Sequence, residues 1–162
     1  MAAWRLQGDM VIFECLRLRL HRIGRSHWRA AGVLRSWGAV PLHRGGDALH
    51  VPCADDEALW LGAWLEDDET VTVSVALTDP ASGRSATITP PSSFQIAGLS
   101  GPDGTRHPFV RADAPLSMTL RCGPASAVAA LLLHTPAAWA ALARRPEPAA
   151  LTGPPPLPPR LG

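Results

Sequence analysis

Cysteine and histidine are the residues of this sequence with the greatest potential for catalysis. Cys122 follows an alternating apolar segment and precedes an Ala- and Leu-rich one, so helix amides beside it would favour a nucleophilic thiolate. His107 or His134 would then act as its general base. Cys122 also continues the inward-facing series of the preceding segment, and this favours a buried, inert thiol. A small Cys/His-dependent hydrolase or transferase is therefore an alternative hypothesis and not the first one.

Side chains that coordinate zinc occur in a second group, consisting of His43, His50, Cys53 and Asp55. His50 and Cys53 are separated by two residues, and Pro52 between them would help the backbone to bend. However, no second pair of ligands stands at a recognised spacing, and His50 is expected to face solvent on a strand. The sequence predicts no cofactor, and a zinc-binding module is a further alternative.

Two tryptophans, Trp60 and Trp64, could form a flat platform for a sugar ring or a base. An acidic run follows them, consisting of Glu66, Asp67, Asp68 and Glu69. Residues 51–80 contain eight acidic residues and no Arg or Lys, so nucleic acid is disfavoured as a partner because phosphate binding needs cations. Since a Trp buries on the order of 200 Å², packing in the core is the favoured role of both tryptophans.

The C-terminal segment contains a proline-rich motif at residues 153–160. Pro155 and Pro158 are three residues apart and Arg160 follows, so one edge of a polyproline II helix would present both prolines. The segment resembles the proline-rich ligands of SH3 domains, in the orientation with Arg at the C-terminal end. This resemblance implies docking to an aromatic groove of a partner, whereas the composition favours a disordered end.

The absence of three residue types excludes several mechanisms. The chain of 162 residues has no Lys, Asn or Tyr, so all 15 basic residues are Arg, as expected for a GC-rich gene. A phosphate-binding loop that ends in Lys, a lysine Schiff base and a tyrosine acid are therefore excluded. The GxSxG, HExxH, CxxC and GxGxxG motifs are also absent from the sequence.

Strict alternation of apolar and polar residues predicts strands at 16–20, 70–78 and 116–122. The pair Gly45-Gly46 predicts a turn between two short strands, and residues 26–37 predict a short helix. Residues 59–65 suit either a helix or a strand, because Trp60 and Trp64 share a face in both. The acidic run is expected to form the tip of a hairpin that joins 59–65 to 70–78.

After residue 124 the pattern changes to one typical of helices. Residues 125–133 are rich in Ala and Leu, and Thr135 followed by Pro136 predicts the start of a helix over 137–145. We expect an α+β, β-rich fold: an antiparallel sheet, small sandwich or barrel with one or two C-terminal helices. Residues 1–145 would form a single globular domain, and residues 146–162 a disordered Pro-rich tail.

These observations favour a non-enzymatic binding or assembly module that acts through protein–protein contacts. No set of catalytic residues converges, and the apolar segment 125–145 is typical of a core or a subunit interface, so the expected partner is another protein or a second copy. We expect no membrane partner, because no apolar run approaches the roughly 20 residues of a spanning helix. Three widely spaced cysteines and the lack of a secretory signal predict a cytoplasmic protein.

Overall fold

The computed structural model describes residues 3–67 and 70–156, which form two β-sheets and one α-helix and define a strand-rich α+β fold. The strands are β1 (Arg5–Gln7), β2 (Met10–Phe13), β3 (Leu16–Gly24), β4 (His43–Gly45), β5 (Ala48–Pro52), β6 (Glu57–Leu65), β7 (Val73–Asp79), β8 (Arg84–Ile88), β9 (Gln95–Ile96), β10 (Gly98–Ser100), β11 (Arg106–Pro108), β12 (Leu116–Cys122) and β13 (Ala125–His134). The helix, α1, spans Pro136–Ala143, and Arg25–His27 form one 3-10 turn.

The smaller sheet has five strands in the order β1-β2-β3-β6-β9, and all its pairs are antiparallel. The larger sheet has eight strands in the order β11-β10-β8-β7-β12-β13-β5-β4. Its strands pair antiparallel except for β13 and β5, which run parallel. The strands predicted at 16–20, 70–78 and 116–122 are confirmed as β3, β7 and β12, and Gly46 lies in the predicted turn, between β4 and β5.

A single apolar cluster joins the two sheets. Alternate residues of β3 and β6 from the smaller sheet and of β7, β12, β13 and β5 from the larger sheet contribute to it, because successive strand residues face opposite sides. A second cluster, which includes Ala58 and Trp60 of β6, lies on the other face of the smaller sheet. The segment after the 3-10 turn covers it, and Trp28 Nε1 donates to the Ala97 carbonyl over 2.7 Å.

The helix predicted at 125–133 is wrong, because these residues belong to β13. Ala and Leu have the highest helix propensities, but β13 pairs with β12 through a short turn at Gly123-Pro124 and with β5 on its other side. The interstrand hydrogen bonds and the packing of alternate side chains outweigh the local preference. The helix predicted at 26–37 is also wrong, since only Arg25–His27 form one 3-10 turn.

The hairpin predicted around the acidic run is wrong as well. β6 belongs to the smaller sheet, where it lies between β3 and β9, whereas β7 belongs to the larger sheet, between β12 and β8. Glu66 and Asp67 of the acidic run therefore lie where the chain leaves the smaller sheet. Asp68 and Glu69 lie outside the described residues.

The start of α1 is confirmed at the predicted residues. Thr135 is the N-cap, its hydroxyl accepts a hydrogen bond of 3.2 Å from Ala138 N, and Pro136 occupies the first turn. The side chain of Trp139 is fully buried, and its Nε1 donates to the His50 carbonyl of β5 over 3.0 Å. Among the described residues, no helix has the length and apolar character needed to cross a bilayer.

Candidate interaction site

The site with the clearest binding geometry lies along the first half of β13. This strand pairs with β12 from Ala125 to Leu131, but its pairing with β5 begins only at Ala130. Among the described residues, 125–129 consequently have a neighbouring strand on one side and none on the other. We call this unpaired side of residues 125–129 the open edge.

Backbone groups of two residues point out from the open edge. Ala130 N donates to the Asp47 carbonyl over 3.1 Å, and the His134 carbonyl accepts from Cys53 N over 2.8 Å. The backbone N–H and C=O groups of even-numbered residues in β13 therefore point towards β5. Because the direction alternates along a strand, the N–H and C=O groups of Ser126 and Val128 face the same side, where β5 has not begun. Within the described part of the chain these groups have no hydrogen-bond partner.

A cavity of about 700 Å³ runs beside the open edge. Small side chains line much of it, including Ala48 and Ala127, so another backbone can approach closely. The side chain of Val128 is 56% exposed at the rim. The cavity therefore combines unsatisfied backbone groups with room for an extended chain, the two conditions for adding a strand.

Trp4 and the β4–β5 turn form the opposite wall. The Arg44 guanidinium lies 4.2 Å from the centre of the Trp4 ring and donates to the Trp4 carbonyl. Arg44 Nε also donates to the Gly46 carbonyl over 2.9 Å, and Gly46 has φ +62, a left-handed conformation that favours glycine. These contacts hold the wall in place, and Arg44 and Asp47 add one charge of each sign to it.

Sequence reasoning missed this edge because it assigned 125–133 to a helix. A signal was nevertheless present: Gly123-Pro124 directly follows a well-predicted strand, and such pairs mark turns. Two alternating apolar segments joined by a short turn are typical of a hairpin. Which part of the second strand lacks a neighbour depends on β5, about 80 residues earlier in the chain.

Three histidines converge at the other end of the same sheet. His43 and His50 lie opposite each other on β4 and β5, with ring centroids 6.0 Å apart. His50 Nδ1 lies 2.8 Å from Nε2 of His134 on β13. Burial lowers the pKa of His50, and repulsion from His134 and then His43 lowers it further. His43 and His50 come from the predicted metal group and His134 from the predicted catalytic group.

The other two predicted metal ligands point elsewhere. The Cys53 thiol donates to the carbonyls of Ala54 and Glu57 at 3.7 and 3.8 Å, and burial raises its pKa to about 11. Asp55 forms an ion pair with Arg111. Within residues 3–67 and 70–156, no three or more His, Cys, Asp or Glu side chains are grouped so that they could hold a metal ion.

The predicted catalytic residues lie far apart. Cys122 is opposite Ala125 at the first end of β13, and His134 is at the last end, about 30 Å away along the strand. His107 lies on β11, four strands from β12 and so about 20 Å across the sheet. The segment after Cys122 is a strand, so the expected helix amides do not lie beside its sulfur.

The two predicted aromatic residues differ in exposure. Trp60 is buried, stacks on His21 with centroids 4.0 Å apart, and donates to the Arg35 carbonyl over 3.3 Å. Trp64 is 38% exposed on the same face of β6. In the acidic run, Glu66 lies 3.6 Å from Arg17, and Asp67 lines a separate cavity between the sheets.

The described part of the C-terminal segment contacts the domain at two backbone groups. Arg22 donates to the Ala149 carbonyl over 2.7 Å and Arg35 donates to the Pro156 carbonyl over 2.8 Å. Pro155 lies between these contacts in the sequence, whereas Pro158 and Arg160 lie outside the described residues. The role of the proline-rich motif and the disorder of the segment stay predictions.

The fold and the open edge define a two-sheet, β-rich protein with an unpaired strand segment. Comparison of the chain with protein-family models, curated proteins and solved structures finds no match.

Proposed function

We propose that this protein is a non-enzymatic assembly module that pairs with a second copy of itself through the open edge of β13. The observation that carries the proposal is the row of backbone groups at Ser126 and Val128, which have no partner in the described part of the chain, beside a cavity of about 700 Å³. An unpaired edge is a ready template for another strand. Antiparallel pairing of two such edges would join two eight-stranded sheets into one continuous sheet.

The geometry of the edge is self-complementary, as a two-fold interface requires. In an antiparallel pair centred on Ala127, Ser126 of one copy lies opposite Val128 of the other, and these two residues exchange their N–H and C=O groups. The backbone groups of Ser126 and Val128 that face the open edge then find partners. No ionisable side chain lies on residues 125–129, so no like charges meet at the centre.

The charges on the cavity wall also suit a second copy. Arg44 and Asp47 carry opposite signs, and a two-fold axis places the wall of one copy against the edge of the other. Each copy therefore presents one cation and one anion, which together have no net charge, to a partner edge that carries no ionisable side chain. A strongly charged partner of one sign would gain less from this wall, because one of the two residues would repel it.

The distances weigh against the enzymatic alternative, since Cys122 and His134 lie at opposite ends of β13. They weigh against the zinc alternative too, since Cys53 and Asp55 have other partners. An odd number of cysteines fits the reducing cytoplasm, which is where we place the protein. The edge is short, so we expect a dimer dissociation constant in about the micromolar range.

Size-exclusion chromatography with light scattering over a roughly 100-fold concentration range around micromolar tests the proposal directly. The mass should rise from that of a monomer to that of a dimer. Val128→Lys places a charge at the rim of the edge, a device that natural edge strands use against pairing, and should weaken the dimer at least about tenfold.

The matched control is Thr87→Lys, which adds the same charge to an exposed position of β8 in the same sheet. It should leave the dimer intact. A native chain that stays monomeric at every concentration would refute self-assembly, and a dimer that Val128→Lys does not weaken would place the interface elsewhere.

A further inference from the structure

Two cysteines from distant parts of the sequence meet at one end of the two sheets. Cys15 lies in the two-residue turn between β2 and β3 of the smaller sheet. Cys122 is the last residue of β12 in the larger sheet, directly before the turn at Gly123-Pro124. They are 107 positions apart in the chain, and the packing of the sheets brings their tight turns together.

The sulfur atoms of this pair are in direct contact. Cys15 Sγ and Cys122 Sγ lie 3.2 Å apart, so one thiol donates a hydrogen bond to the other. A disulfide bond is about 2.05 Å long, so the sulfurs need to approach by only about 1.2 Å. Each residue is 7% exposed, and both line a cavity of about 410 Å³ together with Glu14 and Arg17. A small oxidant can therefore reach the pair from one side.

We propose that Cys15 and Cys122 are a redox modification site, at which a peroxide forms a reversible disulfide that links the two sheets. One thiolate attacks the peroxide, the O–O bond breaks, and the sulfur becomes a sulfenic acid as water leaves. The second thiolate then attacks this sulfur, the S–S bond forms, and the sulfenic oxygen leaves as water. In sum, two thiols and one hydrogen peroxide give one disulfide and two water molecules.

A dithiol reductant reverses the modification by thiol–disulfide exchange. Reversal fits a protein that works in a reducing compartment, because the bond would then form only under oxidative stress. The disulfide closes a loop of more than 100 residues. A cross-link lowers the conformational entropy of the unfolded chain, and the resulting gain in folding stability is greatest for long loops. Oxidation is therefore expected to stabilise the contact between the sheets without rearranging it.

Cys53 provides an internal comparison. It is buried, its thiol donates to backbone carbonyls, and burial raises its pKa to about 11. A thiol with a raised pKa has little thiolate at neutral pH and reacts slowly. Disulfide formation should be selective for Cys15 and Cys122, because their sulfur atoms are in contact and line a cavity, and Cys53 should remain available for alkylation after unfolding.

The experiment uses the purified full-length chain treated with hydrogen peroxide at neutral pH. Intact mass spectrometry should show the loss of two hydrogen atoms, and peptide mapping should find one Cys15–Cys122 link within one chain. The Tm should rise by about 10 °C, and dithiothreitol should restore the original mass and Tm.

Cys53→Ser is the matched control, and it should form the same disulfide at the same rate. Cys15→Ser and Cys122→Ser should each remove the mass change and the rise in Tm. A link that involves Cys53, a link between two chains, or oxygen addition without a disulfide in the native chain would overturn the proposal. The native chain alone decides between these outcomes, so the proposal does not depend on the folding of the variants.

Discussion

Residues 125–129 and residues 130–134 belong to the same strand, β13, but they differ in what lies along the side that faces β5. β5 pairs with the second half in parallel, and α1 then covers β5, where Trp139 donates to the His50 carbonyl. Within residues 3–67 and 70–156 the first half has no strand on that side, and a cavity lies beside it. We call residues 130–134 with their cover the closed half of β13.

The comparison shows how a sheet edge can be protected in one place and left available in another. The closed half satisfies its backbone groups within the chain, and the buried indole of Trp139 adds packing to the hydrogen bonds. Natural proteins normally cover or charge their exposed edges. Among the described residues the first half carries neither device, and this difference supports the proposal that it serves assembly. Four measurements test the comparison.

The largest effect is expected from Trp139→Ala, which removes the fully buried side chain that covers the closed half. Loss of a buried Trp typically costs about 3–5 kcal/mol, and urea unfolding followed by circular dichroism will measure it. The control is Leu142→Ala, in the same helix but 46% exposed, with an expected cost below about 1 kcal/mol. Equal costs for the two variants would show that α1 does not hold the closed half.

The second test compares proline in the two halves. Leu132 lies in the part of β13 that pairs with β5, so Leu132→Pro removes a hydrogen bond of the ladder and should cost about 3 kcal/mol or more. Val128→Pro removes an N–H with no partner among the described residues, and should cost about 1 kcal/mol. If unfolding experiments at a concentration where the chain is monomeric find the same large loss for both, the open edge is paired within the monomer.

The third test concerns Thr135, the N-cap of α1. The Thr135 hydroxyl accepts from Ala138 N, so Thr135→Ala leaves that donor without its cap and should cost about 1 kcal/mol. Thr135→Ser keeps the hydroxyl and should restore most of the free energy of unfolding. Thermal unfolding of the two variants side by side checks this, and a Ser variant no more stable than the Ala variant would contradict the role of the cap.

The smallest effect is a pH dependence in the closed half. Burial, His134 and His43 hold the pKa of His50 below 6.5 in the folded state. Below pH 6.5 the unfolded chain therefore binds a proton at His50 more readily than the folded chain does, and the free energy of unfolding falls as the pH falls. His50→Gln should make this decline shallower between about pH 7.5 and about pH 5.5.

Burial, with a contribution from Arg19, also lowers the pKa of His21, so part of the decline should remain in the His50→Gln protein. His27→Gln is the control, because this side chain is exposed on the 3-10 turn, and it should leave the decline unchanged. A His50→Gln protein with the full native slope would show that His50 does not couple folding to pH.

Local patterns predicted much of the fold. Alternation identified β3, β7 and β12, and Thr135 with Pro136 identified the start of α1. These features depend on neighbours within a few residues, so a short stretch of sequence contains the necessary information. The same local reasoning assigned residues 125–133 to a helix, because Ala and Leu prefer helices where no strand partner is known.

The candidate sites depended on contacts between distant residues. The contact of Cys15 with Cys122 joins two turns that are 107 residues apart in sequence, and no spacing rule relates them. The convergence of His43, His50 and His134 required the parallel pairing of β5 with β13. Sequence reasoning placed these histidines in two separate groups, because the sequence does not show which residues of β5 lie opposite which residues of β13.

The sequence by itself determined the chemistry available to this protein and the strand-rich class of its fold. The absence of Lys and Tyr excluded a lysine Schiff base, a phosphate-binding loop that ends in Lys and a tyrosine acid. The alternating segments required a sheet with one buried face. Only the tertiary structure decided which edge of β13 stays open and which thiols touch. The physical reason is that pairing between strands is set by hydrogen bonds and packing over long sequence separations, which local propensity does not encode.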